Sequence, residues 1–497
     1  MSGVTLSPTQ TGSDAPAEPP PRLGRVPLRA LEWAGIAVLV LIAIVGFFVY
    51  PTWPNYDSIY SLVWGRELLD GTNMSFEAYR APTEHPLSIA VGAILALFGE
   101  GGDRIWTAVC LASFVWLVAG LYTLGKEIFT PLVGLVAALL ILTRFDFPFY
   151  AVRGYIDPAY LALVIWAAVL EVRKPRRGIP VLALLVLAGL LRPEAWLLGG
   201  LYWLYLLPKA TWRLRIIGAV LVWTAPFIWA LTDFLVTGDP LYSHTHTSGL
   251  SEELGRNKGI GAVPEATWNY LGKLAKFPVV LGAMAGAAAA VVLFPTRLKL
   301  PVALLAAGIG TFALVGLGGL SVIDRYLLVP SLMLMLLAAV AIAGWTMLVP
   351  GTWLRRGWIA GSVLLVLFGI AFTASRVNVN RLENELLFRG DSRTALREVL
   401  NDPAVRRGLE CGPVFVPNHK LVPDVRWDLD LPVDQVIART DPDAPPPERG
   451  VAILIHGRSA IFNQLLVNRR DRPGTNLPPD GFERVAVSRY YAAYVGC

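Results

Sequence analysis

From residue 31 to residue 375 the chain alternates between long apolar runs and short polar or basic connections. A helix crossing the hydrocarbon core of a bilayer needs about 20 consecutive apolar residues. Eleven runs meet or approach that length, near 31–50, 105–125, 130–149, 158–172, 179–192, 194–208, 215–235, 277–295, 300–320, 326–349 and 357–375. A further run, Leu87–Phe98, is too short to cross and reads as a helix half-sunk in the outer leaflet. Charge supports this count. With eleven crossings, Lys126, the cluster Arg173-Lys174-Arg176-Arg177, Lys209-Arg213-Arg215, Arg297-Lys299 and Arg355-Arg356 all fall on the cytoplasmic side. Treating 87–98 as a crossing would invert every one of them.

Two of the runs are short. Leu182–Leu191 and Trp196–Leu207 flank Arg192-Pro193-Glu194, so their hairpin is expected to end below the outer surface, with Arg192 and Glu194 facing a cavity within the membrane's depth. After Ser375 the pattern changes to a charged helical stretch over 376–410, then short β-type runs at Val414–Val416 and Val451–Ile455 between Pro- and Asp-rich turns. The expected architecture is an α-helical polytopic membrane protein of about eleven transmembrane helices with a small C-terminal extracytoplasmic α/β domain. The divisions are a disordered cytoplasmic tail over 1–29, a transmembrane unit over 30–375 and the exported domain over 376–497.

Composition agrees with the pattern: 55% of residues are hydrophobic and 16% charged, against about 25% charged in soluble domains. The net charge of +6 does not signal nucleic acid, because the basic residues sit in short clusters between apolar runs with no basic stripe interleaved with aromatics. The first run is too long for a signal core and has no small-residue cleavage site after it, so it is expected to stay as a span with the N-terminus in the cytoplasm of a cell membrane. Of three cysteines, Cys411 and Cys497 bracket the exported domain, and an oxidising compartment would allow them to pair.

The polar stretch from Asn55 to Pro86 holds the main candidate chemistry. Asp57 precedes an amphipathic run, with Ile59, Leu62, Val63 and Leu69 on one side, that reads as a helix lying flat on the membrane. Its carboxylate is placed to take a proton from an acceptor hydroxyl, the alternative being a helix cap. Asp157 follows in Arg153-Gly154-Tyr155-Ile156-Asp157-Pro158, a loop also crowded with Arg144 and Asp146. Asp157 either starts a helix or joins Asp57 to orient an acceptor or hold a divalent cation. Arg192, and Arg325 in Asp324-Arg325-Tyr326, suit a phosphate at headgroup depth, although an arginine there can also snorkel; His85 is the third phosphate candidate. His244 and His246, alternating as if on an extended strand, lack a third metal ligand, so their loop is expected to cover the cavity and contact a sugar.

The early Asp57, His85-Pro86 at the start of a half-buried helix, Gly125-Lys126-Glu127-Ile128-Phe129 before Gly134–Leu140, Tyr155-Ile156-Asp157-Pro158, and Arg325-Tyr326 with Pro330 resemble the lipid-linked-sugar glycosyltransferases of the GT-C superfamily. The nearest branch is the protein O-mannosyltransferase and aminoarabinose-transferase-like one. Ser58 stands where some members place Glu, and His85 where others place a phosphate-binding Lys. The resemblance implies a polyprenyl-phosphate sugar donor and Asp57 as the catalytic acid/base. The expected reaction is transfer, with inversion, to the hydroxyl of an extracytoplasmic glycan, lipid or protein. Asp157 would position the acceptor or an optional cation, while Arg192, Arg325 and His85 meet the phosphate. Arg153, Glu194, His244 and Tyr326 complete the expected substrate contacts. A transporter or lipid-handling protein without transferase activity is the competing reading, which predicts polar residues through the middle of several spans, whereas here the charges gather at span ends; a structural assembly protein whose exported domain docks a partner is the second.

Overall fold

A computed structural model of the chain describes residues 28–376, 379–465 and 473–497. Most of the tail expected over 1–29 lies outside the described residues. Each of the eleven apolar runs forms a helix. α1 (Leu28–Val49) leads to α2 (Tyr56–Leu69) and α3 (Pro86–Ala96), the short run expected not to cross. α4 (Gly102–Ile128) is followed by α5 (Pro131–Leu142) and α6 (Asp146–Val152), a pair bent by 65°. Thr130 caps α5, accepting from the Val133 amide, with Pro131 following where no amide hydrogen is needed. α7 (Asp157–Arg173) precedes α8 (Ile179–Leu191) and α9 (Glu194–Leu206), whose 13 residues each span about 20 Å and stop short of a full crossing.

α10 (Trp212–Thr237), α11 (Tyr242–Glu253), α12 (Val263–Ala275), α13 (Phe277–Leu293), α14 (Lys299–Leu317), α15 (Leu328–Ala343) and α16 (Trp353–Arg376) complete the bundle. Among the described residues, six helices are long and apolar enough to cross alone, and the bent pairs α5–α6 and α12–α13 raise this to eight. The other three expected crossings are the shorter helices α7, α8 and α9. α15 runs through the centre, buried almost throughout, while α1 presents nearly bare apolar surface.

The C-terminal unit begins with α17 (Val379–Leu400), α18 (Pro403–Gly408) and α19 (Val422–Leu429). Its sheet contains β1 (Val414–Val416), β2 (Val436–Ala438), β3 (Gly450–Ile455), β4 (Glu483–Val487) and β5 (Tyr491–Gly496), in the order β2-β1-β3-β5-β4. β1 is parallel to both its neighbours, and β5 is antiparallel to β3 and β4. A Cys411–Cys497 disulfide closes the unit.

The unit grips the helical bundle through charge. Arg397 donates to the fully buried carboxylate of Asp103 at the start of α4, at 2.7 Å, and Arg393 lies 3.5 Å from the same oxygen. Arg426, 1% exposed, binds Glu67 at 2.5 Å and the Ser75 hydroxyl at 2.8 Å. In return Arg66 pairs with Asp430 at 2.9 Å and donates to the Arg426 carbonyl at 2.8 Å.

This grip overturns the expectation that α2 lies flat on the membrane. Ser58–Gly65 are buried on all sides. Ile59, Leu62 and Val63 join the main bundle core, while Tyr60 and Trp64 pack with Phe76, Ala81 and Ile89. The face that composition leaves for solvent is covered by α19 and the segment after α2. Gly65 and Gly92 let α2 and α3 approach backbone to backbone; a Cβ at Gly65 would collide with the Ala93 amide.

Candidate active site

Asp57 lies in the first turn of α2 but does not cap it. Asn55 is the N-cap, its side-chain oxygen accepting from the Ser58 amide at 3.3 Å. The Asp57 side chain is left for another partner, Arg325, at 3.3 Å. Arg325 precedes α15 and reaches in the other direction to Asp157, 3.6 Å away. Asp157 begins α7, is 0% exposed, and receives Arg192 at 2.6 Å; Arg192 in turn holds Glu194 at 2.9 Å. The result is an alternating row, Asp57–Arg325–Asp157–Arg192–Glu194, drawn from four separate places in the chain. Its inner end is buried, where an isolated charge would be very costly and a paired one is tolerated. Its outer end is open: Asp57 is 28% and Arg325 25% exposed at the side chain.

Aromatic rings line the row. The Arg325 guanidinium lies 5.4 Å from the Tyr155 ring centre, and Arg192 lies 5.4 Å from that of Tyr326 and 5.8 Å from that of Tyr160. The peptide beside Tyr155 ties this wall to α2, because the Gly154 carbonyl accepts from both Ser58 Oγ and Trp106 Nε1 at 2.7 Å.

The row changes several expected roles. Asp157 has no exposed surface and is bracketed by two guanidiniums, so it cannot touch an acceptor. Arg325 fills the space between Asp57 and Asp157 that a shared cation would need, and no group of three metal-ligating side chains occurs among the described residues. Arg192, 5% exposed and engaged by two carboxylates, has no free face for a phosphate. His85 lies beside the row, its ring 5.6 Å from that of Trp229. Burial, with the Arg192 and Arg325 charges adding to it, pushes its pKa down to about 3, so at neutral pH it offers a neutral imidazole rather than a cation.

The expected strand carrying His244 and His246 is helix α11. Two residues apart on a helix means about 200° around the axis, so the two rings diverge and cannot share a metal. His246 stacks on Tyr242 and meets the Ala81 carbonyl at 3.0 Å; His244 is exposed and joins none of the row. Arg144 and Asp146 turn away as well, toward the Ala275 carbonyl and Lys276. Arg153 faces the C-terminal unit, its surroundings charged by Arg389, Asp424 and Glu385.

Two further groups carry no sequence signal. Arg256, after α11, is exposed, makes no side-chain hydrogen bond or ion pair among the described residues, and lies within electrostatic reach of Asp57, Arg325 and Tyr326. It supplies the open cation at the mouth of the site. Glu84 is buried, and Ser243 Oγ lies 2.8 Å from it and 2.7 Å from Asp233. One hydroxyl proton cannot serve two carboxylates, and burial raises Glu84 to about 8, so Glu84 carries a proton at neutral pH. A separate apolar groove of about 970 Å³, lined mainly by α1 and α4, shares no residue with the row.

No family model matches the chain, and no curated protein is similar to it at a significant level. Solved structures do match in fold. The crystal structure of ArnT from Cupriavidus metallidurans bound to undecaprenyl phosphate superposes with a TM-score of 0.54 at 11% identity, covering 93% of this chain and 98% of that one. The apo structure of the same ArnT also gives 0.54, at 13% identity, covering 94% and 98%. Over nearly its whole length, therefore, the chain shares the fold of ArnT, a polytopic helical bundle with a C-terminal α/β unit.

Proposed function

We propose that this chain is an integral membrane glycosyltransferase that moves a sugar from a polyprenyl-phosphate donor to the hydroxyl of an extracytoplasmic glycan, lipid or protein, with inversion. The observation that carries this reading is the half-open Asp57–Arg325 pair with the exposed Arg256 within electrostatic reach of it, in a fold shared with a protein solved with undecaprenyl phosphate. An acid that can accept a proton and two cations that can take a phosphate meet at one mouth, which is what glycosyl transfer from a phosphate requires.

In the proposed reaction Asp57 takes the acceptor's hydroxyl proton as its oxygen forms a bond to the anomeric carbon. The bond from that carbon to the phosphate oxygen breaks on the opposite face, and the electron pair leaves with polyprenyl phosphate. Arg325 and Arg256 stabilise the charge that develops there, with the Tyr326 hydroxyl as an available hydrogen-bond donor. Asp157 acts indirectly by holding Arg325 from behind, and Arg192 with Glu194 anchors Asp157 in turn. The row therefore serves as a scaffold for its outer end. Charges gathered at helix ends, with none strung through the middle of several spans, favour a transferase over a transporter.

The test is binding and turnover by purified full-length protein in nanodiscs, using decaprenyl phosphate and a panel of decaprenyl-phosphate sugars. Decaprenyl phosphate should bind, and Arg256→Ala should weaken it about ten- to hundredfold, the value of a charge-assisted contact. Absence of decaprenyl-phosphate binding by the wild-type protein would overturn the reading.

A further inference from the structure

Arg153 is half-buried, yet its guanidinium makes no hydrogen bond and no ion pair among the described residues. It carries five N–H donors, and folded proteins rarely leave such a group without an acceptor. Burial, then the like charge of Arg389, lowers its pKa to about 10, which still leaves it cationic at neutral pH. The nearby acids are already committed: Glu385 to Arg389 at 2.7 Å, and Asp424 to Arg393 at 2.7 Å. Asp424 and Glu385 lie within electrostatic reach of Arg153, as does the guanidinium of Arg389, but neither carboxylate forms an ion pair with Arg153 among the described residues.

The backbone brings the chain neighbours of Arg153 and Arg389 to one segment. The Thr52 hydroxyl donates to the Val152 carbonyl, next to Arg153. Pro51 packs on Gly390, next to Arg389, so closely that a Cβ at Gly390 would lie 2.6 Å from the Pro51 carbonyl oxygen. Val152 and Gly390, the chain neighbours of Arg153 and Arg389, thus both meet the Pro51-Thr52 segment, at the seam between the helical bundle and α17. On its other side Arg153 adjoins Gly154, whose carbonyl holds Ser58 beside Asp57, and Tyr155, whose ring meets Arg325.

We propose that Arg153 and Arg389 form an anion-binding subsite at this seam, which receives a phosphate or carboxylate carried by the acceptor and brings the neighbouring hydroxyl to Asp57. The subsite rests on the transferase reading and specifies its acceptor as anionic. A polyprenyl-phosphate sugar has one phosphate, which Arg256 and Arg325 already serve, so Arg153, without an acceptor among the described residues, is surplus to the donor, and Arg389, held on one side by Glu385, adds its charge beside it. Arg389 belongs to the C-terminal unit, which gives that unit a direct part in choosing the acceptor.

The experiment measures binding by full-length protein in nanodiscs of two probe pairs, octyl glucuronide against octyl glucoside and dihexanoylphosphatidic acid against dihexanoylglycerol. At least one anionic probe should bind about tenfold tighter than its neutral twin; the carboxylate arm would indicate a uronic-acid glycan and the phosphate arm a lipid or glycan phosphate. That preference should disappear in Arg153→Gln and in Arg389→Gln and return in part in Arg153→Lys, with melting temperatures confirming folded protein. Decaprenyl phosphate binding should be the same in Arg153→Gln as in wild type. Equal affinity for both members of each pair overturns the subsite. So does loss of decaprenyl phosphate binding in Arg153→Gln, which would move Arg153 to the donor side while leaving the transferase reading intact. Failure of wild-type protein to bind decaprenyl phosphate removes the transferase reading, and the subsite with it.

Discussion

Replacing Arg426 by Leu tests whether the C-terminal unit positions the reactive end of the site. Arg426 is 1% exposed and spends its guanidinium on Glu67, Ser75 and the Leu431 carbonyl. Breaking a buried ion pair by removing one partner costs about 3–5 kcal/mol, because the other charge stays behind. The lower end applies here: Glu67 keeps the Ser75 amide at 2.9 Å and its hydroxyl at 3.1 Å, and is 12% exposed at the side chain. The strain falls on the last turn of α2, whose first turn carries Asp57. Expected results are a lower melting temperature and a kcat reduced by about tenfold or more, since small displacements of a positioned group are costly. Affinity for decaprenyl phosphate should hold, because Arg256 and Tyr326 are carried by other segments. Adding Glu67→Leu removes the stranded charge and should recover much of the stability, as replacing both partners is often nearly neutral. Unchanged melting and kcat in Arg426→Leu, measured with whichever sugar donor the panel identifies, would refute this positioning role.

Two other perturbations bear on parts of the fold around the site. Glu84 holds a proton when folded, up to about pH 8, that it releases near pH 4.5 when unfolded; the folded state then binds more protons, so stability falls as pH rises across that window. Glu84→Gln should flatten this part of the profile in melting experiments run from pH 5 to 8.5, and an unaltered slope would rule out the shared proton at Ser243. Removing the disulfide with Cys411→Ser, which frees a loop of sequence separation 86, should destabilise the C-terminal unit by about 4 kcal/mol in the chain-entropy picture, read as a lower denaturant midpoint for that unit.

The apolar runs were legible because the bilayer imposes length and composition locally, and all eleven became helices. The bends at residues 143–145 and 276 were not, since a bend within an apolar stretch leaves the composition unchanged. At the site, acid and base types at span ends pointed to Asp57, Asp157, Arg192 and Arg325, which the fold gathers into one row. Their division of labour was hidden, because burial decides it: Asp157 and Arg192 are sealed inside, and His85 is neutral where sequence suggested a phosphate contact. Arg256 sits in an unremarkable polar loop and is distinguished by its place within electrostatic reach of Asp57 and Arg325, a property of tertiary structure. The burial of α2 depends on α19, more than 350 residues away, so no local pattern could show it. His244 and His246 misled because alternation was read as a strand where the backbone turns as a helix.

The most direct measurement is sugar transfer by Asp57→Asn protein in nanodiscs supplied with an active decaprenyl-phosphate sugar. The substitution keeps the size of the side chain and its contact with Arg325 while removing the base. Transfer should fall by about 10²- to 10⁴-fold, the contribution of a positioned general base, with decaprenyl phosphate bound as in wild type. Transfer at near wild-type rate by Asp57→Asn would show that the proton goes elsewhere, and that the row ending at Asp57 is not the catalytic centre.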